Sequence, residues 1–448
     1  MNRLYYIVKK YQRKDKLGCA REVTSRMIGT LEIPASARLL SPPEENNKHG
    51  RCLSRTPHFS LFISRLLSSF FDRISIPQIL SNMSHPLIVD IHTHVYPPAY
   101  IDMLRARRKV PYIHDPSDGG PPRLIILSSD DDSNIPLDQR GRPVDSSYSD
   151  IQVKLDFMAK HSVDCSVISL ANPWLDFIGE EQASEWAQKI NNDLESTCSR
   201  VNNASAQPDK LPQLFAFGTL PLGAPQQVAV AEEVYRISIL PHIRGVIMGT
   251  TGRGNGLDDP ELEPVWGALQ DTQLMLFLHP HYGLPDEAFG GPEIVRRYGH
   301  VLPLALGFPL ETTIAITRMY LSGVFDRFPK LRILLAHSGG TLPFLAGRIE
   351  SCIAHERTFK VNGGSVMGPQ RDIWDVLKTN IYLDAVAYGT AGLKAAVEAG
   401  GGSTDRLLFG KILSRCSTLM TLLMLISFEV LIIHSSPLSM RKMINGPV

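Results

Sequence analysis

The sequence predicts an α/β protein that folds as a TIM (β/α)8 barrel. From Leu87 onward, short apolar runs alternate with longer amphipathic stretches, as repeated strand and helix units do. The apolar runs are nearly continuous, as in VISL, LMLFL and ILLA, which indicates strands that are covered on both faces. A parallel sheet closed into a barrel accounts for both observations. An open doubly wound sheet is the alternative, although no GxGxxG motif follows the first strand.

Eight apolar runs give the predicted strands, and the helical periodicity between them gives the predicted helices. The strands are expected at residues 87–91, 166–170, 214–218, 245–248, 274–278, 333–336, 381–383 and 407–409. The helices are expected at residues 151–161, 181–201, 228–238, 263–271, 342–356 and 390–399. This number of strands is that of one TIM barrel.

A long insertion, residues 117–150, interrupts the alternation after the first strand. Its segment RLIILSS is expected to form a small hairpin, with Gly141 at the turn. Loops that follow barrel strands gather at the C-terminal face of the barrel, where the active sites of such enzymes lie. We therefore expect this insertion to overhang the active site.

The chain divides into a barrel domain and two flanking segments. Residues 84–410 carry the alternating pattern, whereas residues 1–83 show no sustained periodicity and are expected to be disordered. Residues 1–83 hold 14 Lys and Arg against 6 Asp and Glu, a net charge of +8, which leaves −7 for the rest of the chain. A mildly acidic folded part argues against a nucleic-acid partner.

The N-terminal extension has two interpretations. Abundant Arg and Ser are typical of organelle-targeting peptides, but Glu22, Glu32, Glu44 and Glu45 argue against this. The composition favours the other interpretation, in which Met83 is the true start and the preceding residues are a gene-model artefact. The start MNRLYYIVKKYQRKDK lacks the apolar core of a signal peptide, and the six cysteines show no CxxC spacing. We therefore expect a cytoplasmic protein.

Two histidines, His92 and His94, follow directly on the apolar run LIVDI. Residues two apart in a strand point to the same face, so their imidazoles would converge at the end of the first strand. Neutral imidazole is a common ligand for zinc. The alternative is two ordinary histidines in the turn before Pro97 and Pro98.

Two further histidines end predicted strands and favour the metal interpretation. His279 ends LMLFL, and His337 ends ILLA, so three strands deliver histidines to one rim of the barrel. His92, His94 and His279 suit direct metal ligands. His337 suits hydrogen bonding or proton handling beside the metal.

These residues lie in motifs that resemble a known family. The segments VDIHTHVYPPAY, SLANPW, LFLHPH, GFPLETTIAITRMYLSGVFDRFPKLRILLAHSGGTLPF and NIYLDAVAYG are similar to the amidohydrolase-related family of aminocarboxymuconate-semialdehyde decarboxylase. Within it, the chain most resembles the fungal isoorotate (uracil-5-carboxylate) decarboxylases. The resemblance covers residues 84–410 and implies a TIM barrel, one divalent ion, usually zinc, and non-oxidative loss of carbon dioxide from a heteroaromatic or aromatic carboxylic acid.

The resemblance also implies roles for individual residues. His92, His94 and His279 would be the metal ligands, and His337 would lie near the reacting carboxylate. Arg142, in the insertion, is similar to an arginine that binds the substrate carboxylate or ring oxygens, and Asn172 resembles a polar ring-binding residue. The alternatives are a solvated loop arginine and a turn-forming asparagine before a proline.

The C-terminal end departs from the family pattern. The family carries a proton-donating aspartate in a G-T-D-x-P motif after the eighth strand, but here Gly410 is followed by Lys-Ile-Leu-Ser. Residues 411–448 form an atypical hydrophobic tail, which an unspliced intron would explain. The run STLMTLLMLISFEVLIIH is apolar, but Glu429 interrupts it, so no membrane span is expected. Asp384 is expected to be a supporting residue and not a substitute for the missing acid.

Two other functions stay open at this point. A metal-dependent amide or lactone hydrolase could use a similar site, and a non-catalytic barrel would follow from loss of the aspartate. The expected partner is a small-molecule carboxylic acid substrate, with no nucleic acid and no membrane. Long surface helices leave room for a homo-oligomer.

Overall fold

The computed structural model describes residues 88–410, except for residues 129, 145, 207–210, 225–226 and 359–368. The predicted extension at residues 1–83 and the predicted tail at residues 411–448 lie outside the described residues. Seven of the eight predicted strands lie entirely within the described part, the first lies there from residue 88 onward, and a strand forms at all eight places.

The described strands form one large parallel sheet and one small antiparallel sheet. They are Val89–Val95 (β1), Tyr112–His114 (β2), Arg123–Ile125 (β3), Arg142–Pro143 (β4), Cys165–Leu170 (β5), Leu214–Gly218 (β6), Ile243–Gly249 (β7), Met275–His279 (β8), Ile333–Leu335 (β9), Ile381–Asp384 (β10) and Leu407–Leu408 (β11). The large sheet has eight strands in the order β1-β5-β6-β7-β8-β9-β10-β11, which is also their order along the chain.

The large sheet closes on itself. Every neighbouring pair in it is parallel. The Ile91 amide in β1 donates to the Phe409 carbonyl, 3.1 Å away, just after β11. The predicted TIM barrel is therefore confirmed.

Continuous apolar runs form these strands because both faces of the sheet are covered. Val167 and Ile168 are neighbours in β5 and point to opposite faces, yet both are buried. Phe215, Phe217 and Phe277 supply large buried rings to the core of the barrel. Strands that are buried in this way need apolar residues at every position, and this need makes them visible in the sequence.

Helices surround the barrel. They are Pro98–Ala106 (α1), Ser146–Ser149 (α2), Ile151–Lys160 (α3), Glu180–Ala204 (α4), Gln227–Ser238 (α5), Glu263–Thr272 (α6), Pro292–Tyr298 (α7), Phe308–Leu321 (α8), Val324–Arg327 (α9), Leu342–Glu356 (α10), Ile373–Thr379 (α11) and Thr390–Ala399 (α12). Short 3-10 turns occur at Leu137–Gln139, Leu175–Phe177, Pro260–Leu262, Asp286–Phe289, His337–Gly339 and Thr404–Arg406, and a π-helical turn at Pro303–Gly307 precedes α8. The six predicted helices correspond to α3, α4, α5, α6, α10 and α12.

The insertion after β1 forms the small sheet, in which β3 pairs antiparallel with both β2 and β4. Gly141 precedes β4 with φ +62°, and a Cβ there would lie 2.3 Å from the Leu124 carbonyl oxygen, so the turn requires glycine. The Arg123 side chain donates to carbonyl oxygens of the returning chain, including that of Gly141. The predicted hairpin is thus part of a three-stranded sheet.

No single helix in the described part of the chain is long and apolar enough to cross a membrane. Pro292–Tyr298 and Pro303–Leu321 together have sufficient length and apolar composition, but they are bent by 105° at the break between them.

A pair of glycine substitutions tests the packing between strands. A Cβ at Gly245 in β7 would lie 2.2 Å from the Met275 carbonyl oxygen of β8, whereas a Cβ at Gly267 in α6 would lie 3.8 Å from its nearest neighbour. Gly245→Ala should lower the free energy of unfolding by roughly 1–3 kcal/mol through overpacking. Gly267→Ala should raise it by up to about 1 kcal/mol. Urea unfolding of both variants measures the difference, and equal stabilities would contradict the strand contact.

Candidate metal centre and active site

Four histidines converge at the C-terminal end of the barrel. His92 and His94 come from β1, His279 ends β8, and His337 follows β9. The His92 ring centroid lies 5.0 Å from that of His94, 5.1 Å from that of His279 and 5.4 Å from that of His337. The sequence predicts these four side chains at one rim, and the structure brings them together.

β1 is longer than predicted, and this extension carries the first two histidines within the strand. The pairing of β1 with β5 shifts register between Asp90 and Thr93, where the Asp90 carboxylate accepts a hydrogen bond of 3.1 Å from the His92 amide. Gly410 lies beside this strand, and a Cβ there would be only 2.8 Å from the His92 Cβ. Small size at Gly410 therefore leaves room for His92.

Hydrogen bonds fix the tautomers of three imidazoles. His92 Nδ1 lies 2.6 Å from Asp384 Oδ2, and His279 Nδ1 lies 2.8 Å from the Pro280 carbonyl oxygen. A carbonyl and an ionised carboxylate can only accept, so each Nδ1 carries the proton and each Nε2 keeps its lone pair. The buried His92 Nε2 has no hydrogen-bond partner.

A hydroxyl group fixes the tautomer of His94. Its Nδ1 lies 2.9 Å from Ser169 Oγ, and that hydroxyl donates its own hydrogen to the Thr93 carbonyl over 3.2 Å. Ser169 must therefore accept from His94, which leaves the Nε2 lone pair of His94 free for another ligand.

Asp384 supports more of this arrangement than any other carboxylate in the described region around the site. Besides His92, its oxygens accept from the backbone amides of His337, Ser338 and Val386 at 3.0, 2.7 and 3.0 Å. Burial raises the pKa of this carboxyl, but the hydrogen bonds from His92 and from the Ser338 amide outweigh burial and lower it. Asp384 is thus an ionised acceptor, as suits a supporting residue.

Burial keeps His94, His279 and His337 neutral. It lowers the pKa of His94 and of His279 well below the ordinary value, and the neighbouring imidazoles lower both further. The pKa of His337 falls to about 4, again mainly through burial. Neutral imidazole is the form that binds a metal ion, so these pKa values fit a metal site.

His337 occupies a strained stretch of backbone. His337 and Ser338 have φ values of 55° and 54°, and Gly339 and Gly340 follow with 74° and 64°. Left-handed backbone at two consecutive non-glycine residues is costly, and the amide bonds to Asp384 hold it in place. The buried His337 Nδ1 has no hydrogen-bond partner, and the Phe308 ring stacks 6.2 Å from the imidazole.

The donor set fits a divalent metal ion. Potential ligand atoms of His92, His279 and His337 all lie within 4.8 Å of one another. The predicted ligand set contained His94 in place of His337, so the structure offers a fourth imidazole close to the others. Several nitrogen lone pairs that face one buried point are costly unless a cation or protons satisfy them.

The predicted substrate residues are linked through Tyr96, a residue that is not among the predicted site residues. Arg142 Nη2 donates to the Tyr96 hydroxyl over 3.0 Å, and that hydroxyl donates to the Asn172 carbonyl over 2.8 Å. The Asn172 side chain also donates to the His281 carbonyl, at 2.9 Å. Extending the alternation of His92 and His94 by two residues would have indicated Tyr96.

Aromatic rings border the histidine cluster. Trp174 packs against His279 with its centroid 5.7 Å away, and Phe277 lies 5.1 Å from His92. Such walls exclude water and offer flat surfaces to a planar ring, which is how small-molecule sites commonly combine apolar area with a few polar groups.

Comparisons with known proteins agree with this geometry. An amidohydrolase family model matches residues 89–410. The crystal structure of IDCase from Metarhizium anisopliae in apo form superposes with a TM-score of 0.68 at 44% sequence identity, covering 79% of this chain and 94% of that one.

Two curated relatives are similar over shorter regions. The 2-amino-3-carboxymuconate-6-semialdehyde decarboxylase of Dictyostelium discoideum is 28% identical over 210 residues, 47% of this chain and 53% of that protein. The gamma-resorcylate decarboxylase of Rhizobium radiobacter is 30% identical over 209 residues, 45% of this chain and 59% of that protein. The chain thus spans less than two thirds of the length of either relative.

The buried histidines predict how the stability of the metal-free protein depends on pH. Histidine in the unfolded chain takes up a proton below about pH 6.5, whereas burial lowers the folded pKa of His281 to about 3 and of His337 to about 4. The contribution of these two histidines to the free energy of unfolding is therefore fully present above about pH 6.5. It falls as the pH decreases, by up to about 1.4 kcal/mol per pH unit for each histidine.

Urea unfolding at pH 7.5, 6 and 5 measures this dependence in metal-free protein. His281→Gln should reduce the slope between pH 6 and 5 by about 1.4 kcal/mol per pH unit, because one proton uptake disappears. A free energy of unfolding that stays constant from pH 7.5 to 5 would contradict buried neutral histidines.

Proposed function

The chain belongs to the amidohydrolase family, and from this premise we propose that it is a metal-dependent, non-oxidative decarboxylase of a heteroaromatic or aromatic carboxylic acid. The observation that carries the proposal is the cluster of histidines whose Nδ1 atoms are hydrogen-bonded and whose Nε2 lone pairs remain free for a metal ion. The relatives named above are themselves decarboxylases by name, which supports this chemistry over amide or lactone hydrolysis.

Isoorotate (uracil-5-carboxylate) is the favoured substrate, which would give uracil and carbon dioxide. Support for it comes from the quoted sequence motifs, which resemble those of isoorotate decarboxylases, and from the 44% identity to the IDCase of Metarhizium anisopliae. A role in pyrimidine metabolism and a cytoplasmic location belong to the same proposal.

One divalent ion would occupy the centre, with His92, His94 and His279 as ligands through Nε2. When bound, the ion would act as a Lewis acid toward a ring oxygen and the adjacent carboxylate of the substrate. Zinc is the proposed ion, because an all-imidazole donor set suits it better than it suits oxygen-preferring ions such as manganese.

Other side chains of the chain would position the substrate. The Arg142 guanidinium, steadied by Tyr96, would bind the carboxylate or ring oxygens, and Asn172 lies on the same hydrogen-bonded chain. His337 would lie beside the reacting carboxylate with its unpaired Nδ1. The rings of Trp174 and Phe308 would flank a planar substrate and keep water out.

Proton delivery is the step for which this chain lacks the expected residue. Loss of carbon dioxide leaves a carbanion-like ring carbon that must be protonated, and the G-T-D-x-P aspartate would supply that proton. Here residues 411–414 are Lys-Ile-Leu-Ser. Gly410 lies against His92. Two residues of extended chain span at most about 7 Å, so a carboxylate placed two residues after Gly410 could reach the cluster. Restoring it is therefore a direct test.

A product assay tests the proposed function. The full chain and a variant with Lys411→Thr, Ile412→Asp and Ser414→Pro are loaded with Zn²⁺ and offered isoorotate, gamma-resorcylate, methylsalicylate and aminocarboxymuconate semialdehyde. We expect carbon dioxide from isoorotate at the highest rate, with at least 100-fold faster turnover in the variant, as is typical for gain of a general acid.

His279→Ala serves as the control and should lose both bound zinc and turnover. Ring opening with incorporation of solvent oxygen would instead identify a hydrolase. A parallel sample offered equal Zn²⁺ and Mn²⁺ tests the choice of ion, and manganese retained over zinc would correct it. No turnover by either form, with zinc bound stoichiometrically, would favour the non-catalytic barrel.

Substitution of Arg142 tests substrate recognition in whichever form of the chain shows turnover in this assay. Arg142→Ala should lower kcat/KM about 10- to 100-fold, because a hydrogen bond to a charged group contributes about 1.5–3 kcal/mol. Arg140 is the matched control: it lies two residues earlier and pairs with Asp131 at 2.9 Å. Arg140→Ala should leave kcat/KM within about twofold of the unaltered chain, and an equal loss in both variants would argue against a substrate contact for Arg142.

A further inference from the structure

Glu311, on α8, is a buried carboxylate close to the histidine cluster. It lies only 8% exposed beside the chain that follows β8. Its Oε1 accepts from the Thr250 hydroxyl and, at 2.9 Å, from the His281 amide, and its Oε2 accepts from the Gly283 amide at 2.7 Å. Burying a carboxylate is costly unless such donors compensate it, so these three bonds hold Glu311 in one place.

One of these bonds leads directly to a predicted metal ligand. The His281 N–H and the Pro280 carbonyl belong to the same peptide group. The Pro280 oxygen is the acceptor for His279 Nδ1, at 2.8 Å. Glu311, one planar peptide and the His279 ring therefore form a continuous hydrogen-bonded chain.

We propose that Glu311 is a positioning residue for the metal centre and acts on His279 through the Pro280–His281 peptide. The proposal rests on the proposed function, because it assumes that His279 holds the ion. A negative charge at the peptide N–H polarises the peptide and increases the negative charge on its carbonyl oxygen. The carbonyl then holds the Nδ1 proton of His279 more firmly, which fixes the ring and makes Nε2 a stronger donor.

His92 is also supported by a buried carboxylate, in this case by direct contact. Its Nδ1 is bonded to the buried Asp384 carboxylate at 2.6 Å, with no group between them. Each of these two histidines is thus backed by a buried carboxylate, one by contact and the other through a peptide. This similarity to Asp384 gives a reason for the buried Glu311 on α8. An apolar side chain at that position would have avoided the cost of burying a charge.

The surrounding backbone keeps the connecting peptide in place. Gly249 is the register partner of His279, and a Cβ there would lie 2.7 Å from His281 Nδ1. The absence of a side chain at Gly249 lets the His281 ring pack against β7. Gly283, the third donor to Glu311, has φ +80°, a backbone conformation that favours glycine.

Zinc affinity of the full chain tests the proposal. Metal-free protein competes for Zn²⁺ with a chromophoric chelator, and the affinities of Glu311→Gln and of a matched control, Glu195→Gln, are compared. Glu195 also accepts from a backbone amide and from an imidazole, those of His242, but outside the cluster. We expect Glu311→Gln to bind zinc roughly 10-fold more weakly. Glu195→Gln should bind zinc as the unaltered chain does.

A second measurement separates positioning from loss of stability. Thr250→Val removes one donor to Glu311 but leaves its charge and its bond to His281, so it should lower the unfolding midpoint without weakening zinc binding. The Nδ1 proton resonance of His279, followed in ¹⁵N-histidine-labelled metal-free protein, should shift in Glu311→Gln and stay in place in Glu195→Gln.

Each outcome decides the proposal. Unchanged zinc affinity in Glu311→Gln, or an equal loss in Glu195→Gln or Thr250→Val, would overturn it. If Glu311→Gln does not fold, Glu311→Asp takes its place: its shorter side chain cannot reach both amides, and full zinc affinity in that variant would overturn the proposal. If the unaltered chain binds no zinc, both the proposed function and the positioning role of Glu311 are contradicted. If it binds zinc and the variants do not differ from it, only the positioning role of Glu311 is contradicted.

Discussion

The site depends on one constraint: several imidazoles must stay neutral in a buried place and turn their lone pairs toward the same point. The barrel meets this constraint by giving each Nδ1 proton an acceptor behind the ring. For His92 the acceptor is Asp384, for His94 it is Ser169, and for His279 it is the Pro280 carbonyl. Without these acceptors the rings could turn over or take up protons, and either change would remove the inward-facing lone pairs.

The barrel brings such acceptors within reach because parallel strands end at one rim. Asp384 ends β10, and its oxygens reach His92 on β1 and the backbone at His337 after β9. One carboxylate therefore joins three strands that are far apart in sequence. The cost of burying it is offset by four donors, and the same bonds hold the left-handed backbone at His337.

The fold and the histidines could be predicted from sequence, because continuous apolar runs mark strands buried on both faces and three of these runs are followed directly by histidine. The supporting bonds could not. Asp384 and His92 are separated by 292 residues, and nothing local to either one indicates the other. Tyr96 looks like an ordinary aromatic residue until Arg142 and Asn172 are placed on both sides of its hydroxyl. Glu311 lies in a helix, where a polar residue ordinarily indicates a solvated face.

In the proposed enzyme, metal binding and proton delivery would depend on different parts of the chain. The histidines and their acceptors all lie within residues 92–384, whereas the aspartate expected of the family belongs after Gly410. Gly410 itself still fits against His92, so the barrel is built up to the point where that aspartate would follow. The described residues thus contain the imidazoles proposed to hold the ion and the Arg142 side chain proposed to orient the carboxylic acid. The rate of the proposed decarboxylation would then depend on which group protonates the ring carbon, because turnover ends only when the carbanion-like carbon left by carbon dioxide takes up a proton.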